Sequence, residues 1–166
     1  MFVLETDRLR LREMNFSDVP HLMEIFSDPI AMKYYLSTKT EEEAENWVRW
    51  NLTNYNSIGA GLWICELKDS CRFVGQCGIV PQVVDDKVEM EIGYLFSRSF
   101  WGQGLATEAA NAAKEFGFHQ LHLHRLISMI YKPNTPSIRV AERIGMSYEK
   151  ETMIKNRETF IYSINI

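Results

Sequence analysis

The stretch Glu89–Phe116 constrains this chain most, because its hydrophobic period changes there from that of a strand to that of a helix. Val88, Met90, Ile92, Tyr94 and Phe96 alternate with Glu89, Glu91, Gly93 and Leu95, which predicts a strand with one set on each face. Leu105, Ala109, Ala112, Ala113 and Phe116 then recur at helical spacing in a run of strong helix formers. Between them lies Trp101-Gly102-Gln103-Gly104-Leu105-Ala106-Thr107. Two glycines let the backbone turn sharply and approach a ligand closely. The first turn of a helix offers unpaired N–H groups and the positive end of its dipole, which suits a phosphate. Strand, glycine turn and helix N-terminus together form an anion cradle.

Three cradle patterns compete. A Walker loop needs G-x-x-x-x-G-K-[ST], and no Lys-Ser or Lys-Thr pair follows these glycines. A dinucleotide fingerprint needs G-x-G-x-x-G, but Thr107 stands three positions after Gly104. The third pattern is [QR]-x-x-G-x-[GA], the pyrophosphate loop of the GNAT acetyltransferases, met here by Gly104 and Ala106 with Trp101 in place of Gln or Arg. The run W-G-x-G-x-A-T-E-A resembles the variant found in the branch that includes the ribosomal-protein N-terminal acetyltransferases. Two further stretches resemble the same branch. One is the opening L-E-T-D-R-L-R-L-R; the other is N-T-P-S-I-R-V-A-E-R-I-G-M, similar to N-x-x-S-x-x-V-x-E-K-x-G-F with Arg143 for Lys and Met146 for Phe. The resemblance covers nearly the whole chain. It implies an α+β GNAT fold, with a mixed, mostly antiparallel central sheet flanked by helices.

A length of 166 residues, 46% apolar and 24% charged, fits one soluble domain over 1–166 with a real core. No apolar run approaches a membrane span, and the N-terminus lacks a signal peptide's basic and long apolar regions, so a cytoplasmic protein is expected. Cys65, Cys71 and Cys77 cannot all pair internally and have no metal spacing, so reduced, partly buried thiols are expected. A net charge of −4 argues against nucleic acid and is compatible with a cationic amine. His119, His122 and His124 invite a metal reading, with the last two on one side of a strand. No acidic residue or cysteine close by completes such a site, the segment reads as a helix-to-strand connection, and no metal is expected.

The remaining elements follow from local signals. Leu4–Met14 reads as one half-buried strand, with Arg8, Arg10 and Arg12 on a solvated face. Ser17 or Asp18 can cap a helix that Asp28-Pro29 stops, and Thr40 with Glu43 forms a capping box for a second helix. The loop between them carries Met32, Tyr34 and Tyr35, either core residues or a platform for an amine. Runs 62–67 and 72–80 predict a hairpin ended by Pro81, with Asp85-Asp86-Lys87 turning the chain into the central strand. Thr135 is the expected N-cap of a helix with Pro136 at its first position and Gly145 at its end. Two strands around Lys155-Asn156-Arg157 close the chain.

The resemblance implies a chemistry for these residues. Acetyl-coenzyme A would bind through the backbone of Trp101, Gly102, Gln103, Gly104, Leu105 and Ala106, with the Thr107 hydroxyl in reach. Its pantetheine arm would lie where the central strand and the next splay apart, pairing with backbone near Phe96 and Ser97. A backbone N–H at that bend would form the oxyanion site. Asn134 resembles the residue that bonds the pantetheine amide. An amine acceptor must lose a proton, and Glu91 is the first candidate base, with Glu89 on the same face as the second. Ser137 either serves the departing thiolate or only caps its helix. The acceptor is a protein N-terminal α-amine or a small amine such as a polyamine, aminoglycoside or amino acid. The oligomeric state is left open between monomer and homodimer, and neither membrane nor nucleic acid is expected as a partner. Two other readings stand beside this one: a catalytically silent coenzyme A sensor, and a nucleotide-binding module.

Overall fold

The computed structural model describes residues 2–166. Its strands are β1 (Phe2–Glu5), β2 (Leu9–Glu13), β3 (Leu62–Leu67), β4 (Phe73–Val84), β5 (Lys87–Phe96), β6 (Arg125–Tyr131), β7 (Ser147–Ile154) and β8 (Arg157–Asn165). They join one sheet in the order β1-β2-β3-β4-β5-β6-β8-β7, in which only β5 and β6 run parallel. Helices α1 (Val19–Phe26) and α2 (Glu41–Ile58) follow β2, α3 (Leu105–His119) crosses from β5 to β6, and α4 (Thr135–Arg143) follows β6. This is the mixed, mostly antiparallel α+β architecture expected.

The strand alternation gives the sheet two apolar faces. Under α3 and α4 lie Leu11, Trp63, Ile79, Ile92, Phe96 and Leu126, against Ala109, Ala113 and Ala141. Small residues bring α3 close: a Cβ on Gly117 would come within 2.9 Å of Ile79 and 3.0 Å of Leu126. Under α1 and α2 lie Leu62, Ile64, Phe73 and Val80, against Leu22, Ile25, Phe26 and Val48. Each such large side chain, taken out of water, contributes roughly 1.5–3 kcal/mol.

Several local expectations hold. The Thr40–Glu43 box is reciprocal at 3.2 and 3.0 Å and opens α2. Asp85 and Asp86 form a two-residue turn with both φ positive, as do Lys155 and Asn156.

Others are corrected by tertiary contacts. The single strand expected over Leu4–Met14 is two short antiparallel strands, because Thr6 turns the chain: its N–H donates to Leu9 O at 2.9 Å and its hydroxyl accepts from Leu9 N–H at 3.0 Å. The arginines are also paired: Arg8 stays exposed while it holds Glu108, Arg10 meets Glu5, and Arg12 is the most buried of the three. Arg12 holds Asp18 through two bonds of 2.7 and 2.9 Å and reaches Glu66 at 2.8 Å. Asp18 therefore makes no side-chain cap for α1, and Asn15 caps the 3-10 turn Phe16–Asp18 that precedes it. β4 runs through Pro81 to Val84, since β3 has ended opposite Gly78 and no neighbour there needs the missing N–H. The connection from α3 to β6, a helix-to-strand loop as expected, carries His122 and His124, which therefore do not share a strand face. Asn134, not Thr135, caps α4.

Candidate active site

The parallel pairing of β5 with β6 consists of one bridge, Glu91 to Ile127. Beyond it side chains replace the ladder. The Ser128 hydroxyl donates to Ile92 O at 2.9 Å, and the Met129 N–H donates at 2.8 Å to the Glu91 carboxylate instead of to β5 backbone. Here a cleft of about 720 Å³ opens, with Glu91, Tyr94, Ser128, Met129, Asn134 and Ser137 among its walls.

Glu91 is half-buried, with one oxygen on Met129 N–H and the other accepting from Gln82 Nε2 at 3.1 Å. Burial pushes its pKa up to about 7, against the downward pull of those two donors. Glu89 has a different setting: Arg125 holds it at 3.0 Å while also reaching Glu149 at 2.7 Å. The second candidate base is therefore spent in an ion pair.

At the other wall, the Asn134 Oδ1 accepts from Ser137 N–H at 3.3 Å, and Ser137 O accepts from the Tyr94 hydroxyl at 2.7 Å. The side-chain cap falls to Asn134, and the Ser137 hydroxyl makes no hydrogen bond to a described residue. Burial holds the Tyr94 phenol above its ordinary value, hence neutral. Sequence reasoning placed Tyr94 in the apolar stripe. A buried tyrosine wants a partner for its hydroxyl, which was the available signal. Gln82 and Met129 carried no signal, because only sheet register brings them to Glu91.

The glycine turn is not on the wall of this cleft, and neither are Phe96 and Ser97. Gly102 and Gly104 both stand at φ 77°, and Gly104 opens α3 with no side-chain cap. Trp101 through Gly104 are exposed, Leu105 is buried in the core, and Ala106 and Thr107 are half-buried. The turn is fastened from two sides. Trp101 Nε1 donates to Phe96 O at 2.9 Å, and Arg8 Nη1 donates to Gln103 O at 2.8 Å. Arg8 also pairs with Glu108 at 2.7 Å, and the Thr6 hydroxyl donates to Glu108 at 2.6 Å. Thus the opening strand pair braces the first turn of α3, a link that sequence reasoning missed. At the bend the Ser97 N–H is already given to Val74 O at 2.8 Å, so it is not free for an oxyanion.

This end of α3 fits a pyrophosphate. Its first-turn donors lack a capping side chain, and a Cβ at Gly102 would meet nothing within 4 Å, so the approach is open. Among the described residues no three His, Cys, Asp or Glu side chains gather as metal ligands; His119 instead meets Glu115 at 3.1 Å. All three cysteines are free, with Cys65 and Cys77 buried.

The sequence profile described as the acetyltransferase (GNAT) domain matches residues 8–147. The chain belongs to the GNAT family. As a GNAT member it is an acetyl-coenzyme A-dependent acetyltransferase. YkkB of Bacillus subtilis (strain 168), described as an uncharacterized protein, is 43% identical over 160 residues, covering 96% of this GNAT chain and 93% of that protein. The crystal structure of a GNAT-family acetyltransferase from Bacillus anthracis superposes with a TM-score of 0.81 at 32% identity, covering 99% and 98% of the two chains. RimL, a ribosomal L7/L12 α-N-protein acetyltransferase solved with coenzyme A, shares the fold with a TM-score of 0.81 at 19% identity, covering 100% and 98%. Among the described residues no helix is long and apolar enough to cross a membrane.

Proposed function

We propose that residues 1–166 act as one cytoplasmic N-acetyltransferase domain that moves an acetyl group from acetyl-coenzyme A directly to a primary amine, with Glu91 as the base. One observation carries this reading: a carboxylate with a pKa pushed up to about 7 stands where β5 and β6 part, both oxygens fixed by donors. A base poised near neutral pH takes a proton from an ammonium more readily than an ordinary glutamate does. Acetyl-coenzyme A, when bound, supplies the acetyl group as an activated thioester.

The chain's own residues do the rest. The backbone of Trp101–Thr107 and the open first turn of α3 would hold the pyrophosphate, braced by Arg8 and Trp101. Asn134 spends its carbonyl oxygen on the α4 cap and keeps its amide N–H groups for a pantetheine carbonyl. Successive residues of a strand turn their N–H groups to opposite neighbours. With Ser97 turned to β4, the Phe96 N–H is the bend's candidate oxyanion donor. We assign the Ser137 hydroxyl, which no described residue engages, as the donor to the departing thiolate. No metal enters any of these roles. The test is release of free coenzyme A from acetyl-coenzyme A across a panel of amines, with product identified by mass. Stabilisation by acetyl-coenzyme A without release for any amine would leave a binding protein and overturn the reading.

A further inference from the structure

We infer that the acceptor carries an anionic group beside the amine it offers, and that Arg157 and Lys155 receive that group; this rests on the cleft at Glu91 being the site of acetyl transfer. The charged side chains on the cleft wall are Lys39, Glu43, Glu91, Lys155 and Arg157. Glu43 is spent on its capping box and lies in the field of Lys39. Lys39 Nζ in turn lies 5.3 Å from the ring centroid of Trp47 and 5.8 Å from that of Phe26. Glu91 accepts from Met129 and Gln82. That leaves the two cations of the β7–β8 hairpin, neither of which has a carboxylate within 4.0 Å among the described residues. The nearby hairpin acids Glu151 and Glu158 are both held by Lys132, at 3.3 and 3.2 Å.

Arg157 is also held in place. Its guanidinium lies 3.5 Å from the Tyr131 ring centroid, and its Nη2 donates to Tyr34 O at 2.8 Å. A guanidinium has five N–H donors, so most of this one's fork stays unused, in a geometry that matches a carboxylate or phosphate. A half-buried cation without a counter-ion is costly, and an anionic ligand relieves that cost. A polyamine would face three cations here, with both carboxylates of the wall, Glu43 and Glu91, already engaged by donors.

The experiment measures kcat/KM for acceptor pairs that differ only in charge: aminocarboxylates against their amides, with spermidine and a peptide beginning with an acidic residue alongside. The carboxylate is expected to exceed its amide by about 10- to 100-fold, the range for a hydrogen bond to a charged group. A preference carried by the free aminocarboxylate or by the acidic peptide supports the inference equally and tells which source supplies the anion. Arg157→Gln should erase the preference through KM. Lys155→Glu, at an exposed turn residue with no partner to lose, should reduce it and improve spermidine. Equal use of carboxylate and amide, or better use of spermidine by the wild type, overturns the inference while acetyl transfer stands. A rise in KM for acetyl-coenzyme A rather than for the acceptor in these variants also overturns it. No transfer to any amine removes the reading beneath it.

Discussion

Replacing Glu91 by Gln isolates the proton-accepting role with little else disturbed, and the local hydrogen bonds show why. Met129 N–H can donate only, so the new amide must turn its oxygen there and its NH₂ toward Gln82. Gln82 accommodates this by rotating its own amide to present oxygen, and both bonds survive. The fold should therefore lose almost nothing. Turnover should fall on the order of 10² to 10⁴, the usual range for a lost general base. The pH profile carries the sharper signature. With a pKa of about 7, only about a tenth of Glu91 is ionised at pH 6, so wild-type kcat/KM should rise about tenfold from pH 6 before levelling. In the variant the break near pH 7 should vanish, leaving one unbroken slope set by an alkyl amine with a pKa near 10. The gap between the two proteins should then narrow by about tenfold per pH unit between 7 and 10. Stability has the opposite sign. Because the folded pKa lies above the unfolded one, the wild type binds more protons when folded, so its stability falls as pH rises from about 4.5 to 7. The Glu91→Gln protein should show no such fall. Initial rates by thiol release and urea unfolding at matched pH give both readouts. Persistence of the break near pH 7 in Glu91→Gln, at wild-type rate, would refute the assignment.

Three other perturbations test separate parts of the molecule. Gly102→Asp places a carboxylate on the glycine turn where its side chain has room, and Asp tolerates φ 77° better than most residues, so the fold should survive. Thermal shift should then show loss of the stabilisation by acetyl-coenzyme A that the wild type gains, about 2.7 kcal/mol at 100 Kd. Arg12→Ala leaves Asp18, only 2% exposed, as an uncompensated buried charge and should cost about 3–5 kcal/mol in urea unfolding, with partial recovery when Asp18→Asn is added. Incubation with EDTA should leave kcat unchanged; activity lost to the chelator and restored by zinc would reinstate His119, His122 and His124 as ligands.

What could be read in advance was what depends on neighbours in sequence. The glycine turn, the Thr40–Glu43 box and the Lys155-Asn156 turn are each set by a few adjacent residues, and each formed where expected. Arg12 failed as a prediction because its partners Asp18 and Glu66 come from other elements. Pro81 failed because the length of β3, not the residue, decided whether β4 could continue. Thr135 and Asn134 are both sound caps, and only the turn after β6 decided which side chain reaches the Ser137 N–H. The site behaved in the same way. Glu91 could be proposed from its strand face and from Gly93 beside it, but its proton affinity is set by burial where β5 and β6 part, which outweighs the pull of Met129 and Gln82.

That parting also bears on how the molecule moves. With one ladder bridge between them, the β1–β5 portion and the β6–β8 portion meet across the weakest seam of the sheet, spanned by α3 and by the Ser128 and Met129 bonds. Local opening is favoured where few backbone bonds must break. In the free protein, amides of Ile127–Tyr131 facing the seam should exchange with deuterium faster than those of β4 paired to β5. A pantetheine chain bound in the gap, as proposed, should slow them, so the two portions would breathe separately when empty and as a single body when loaded.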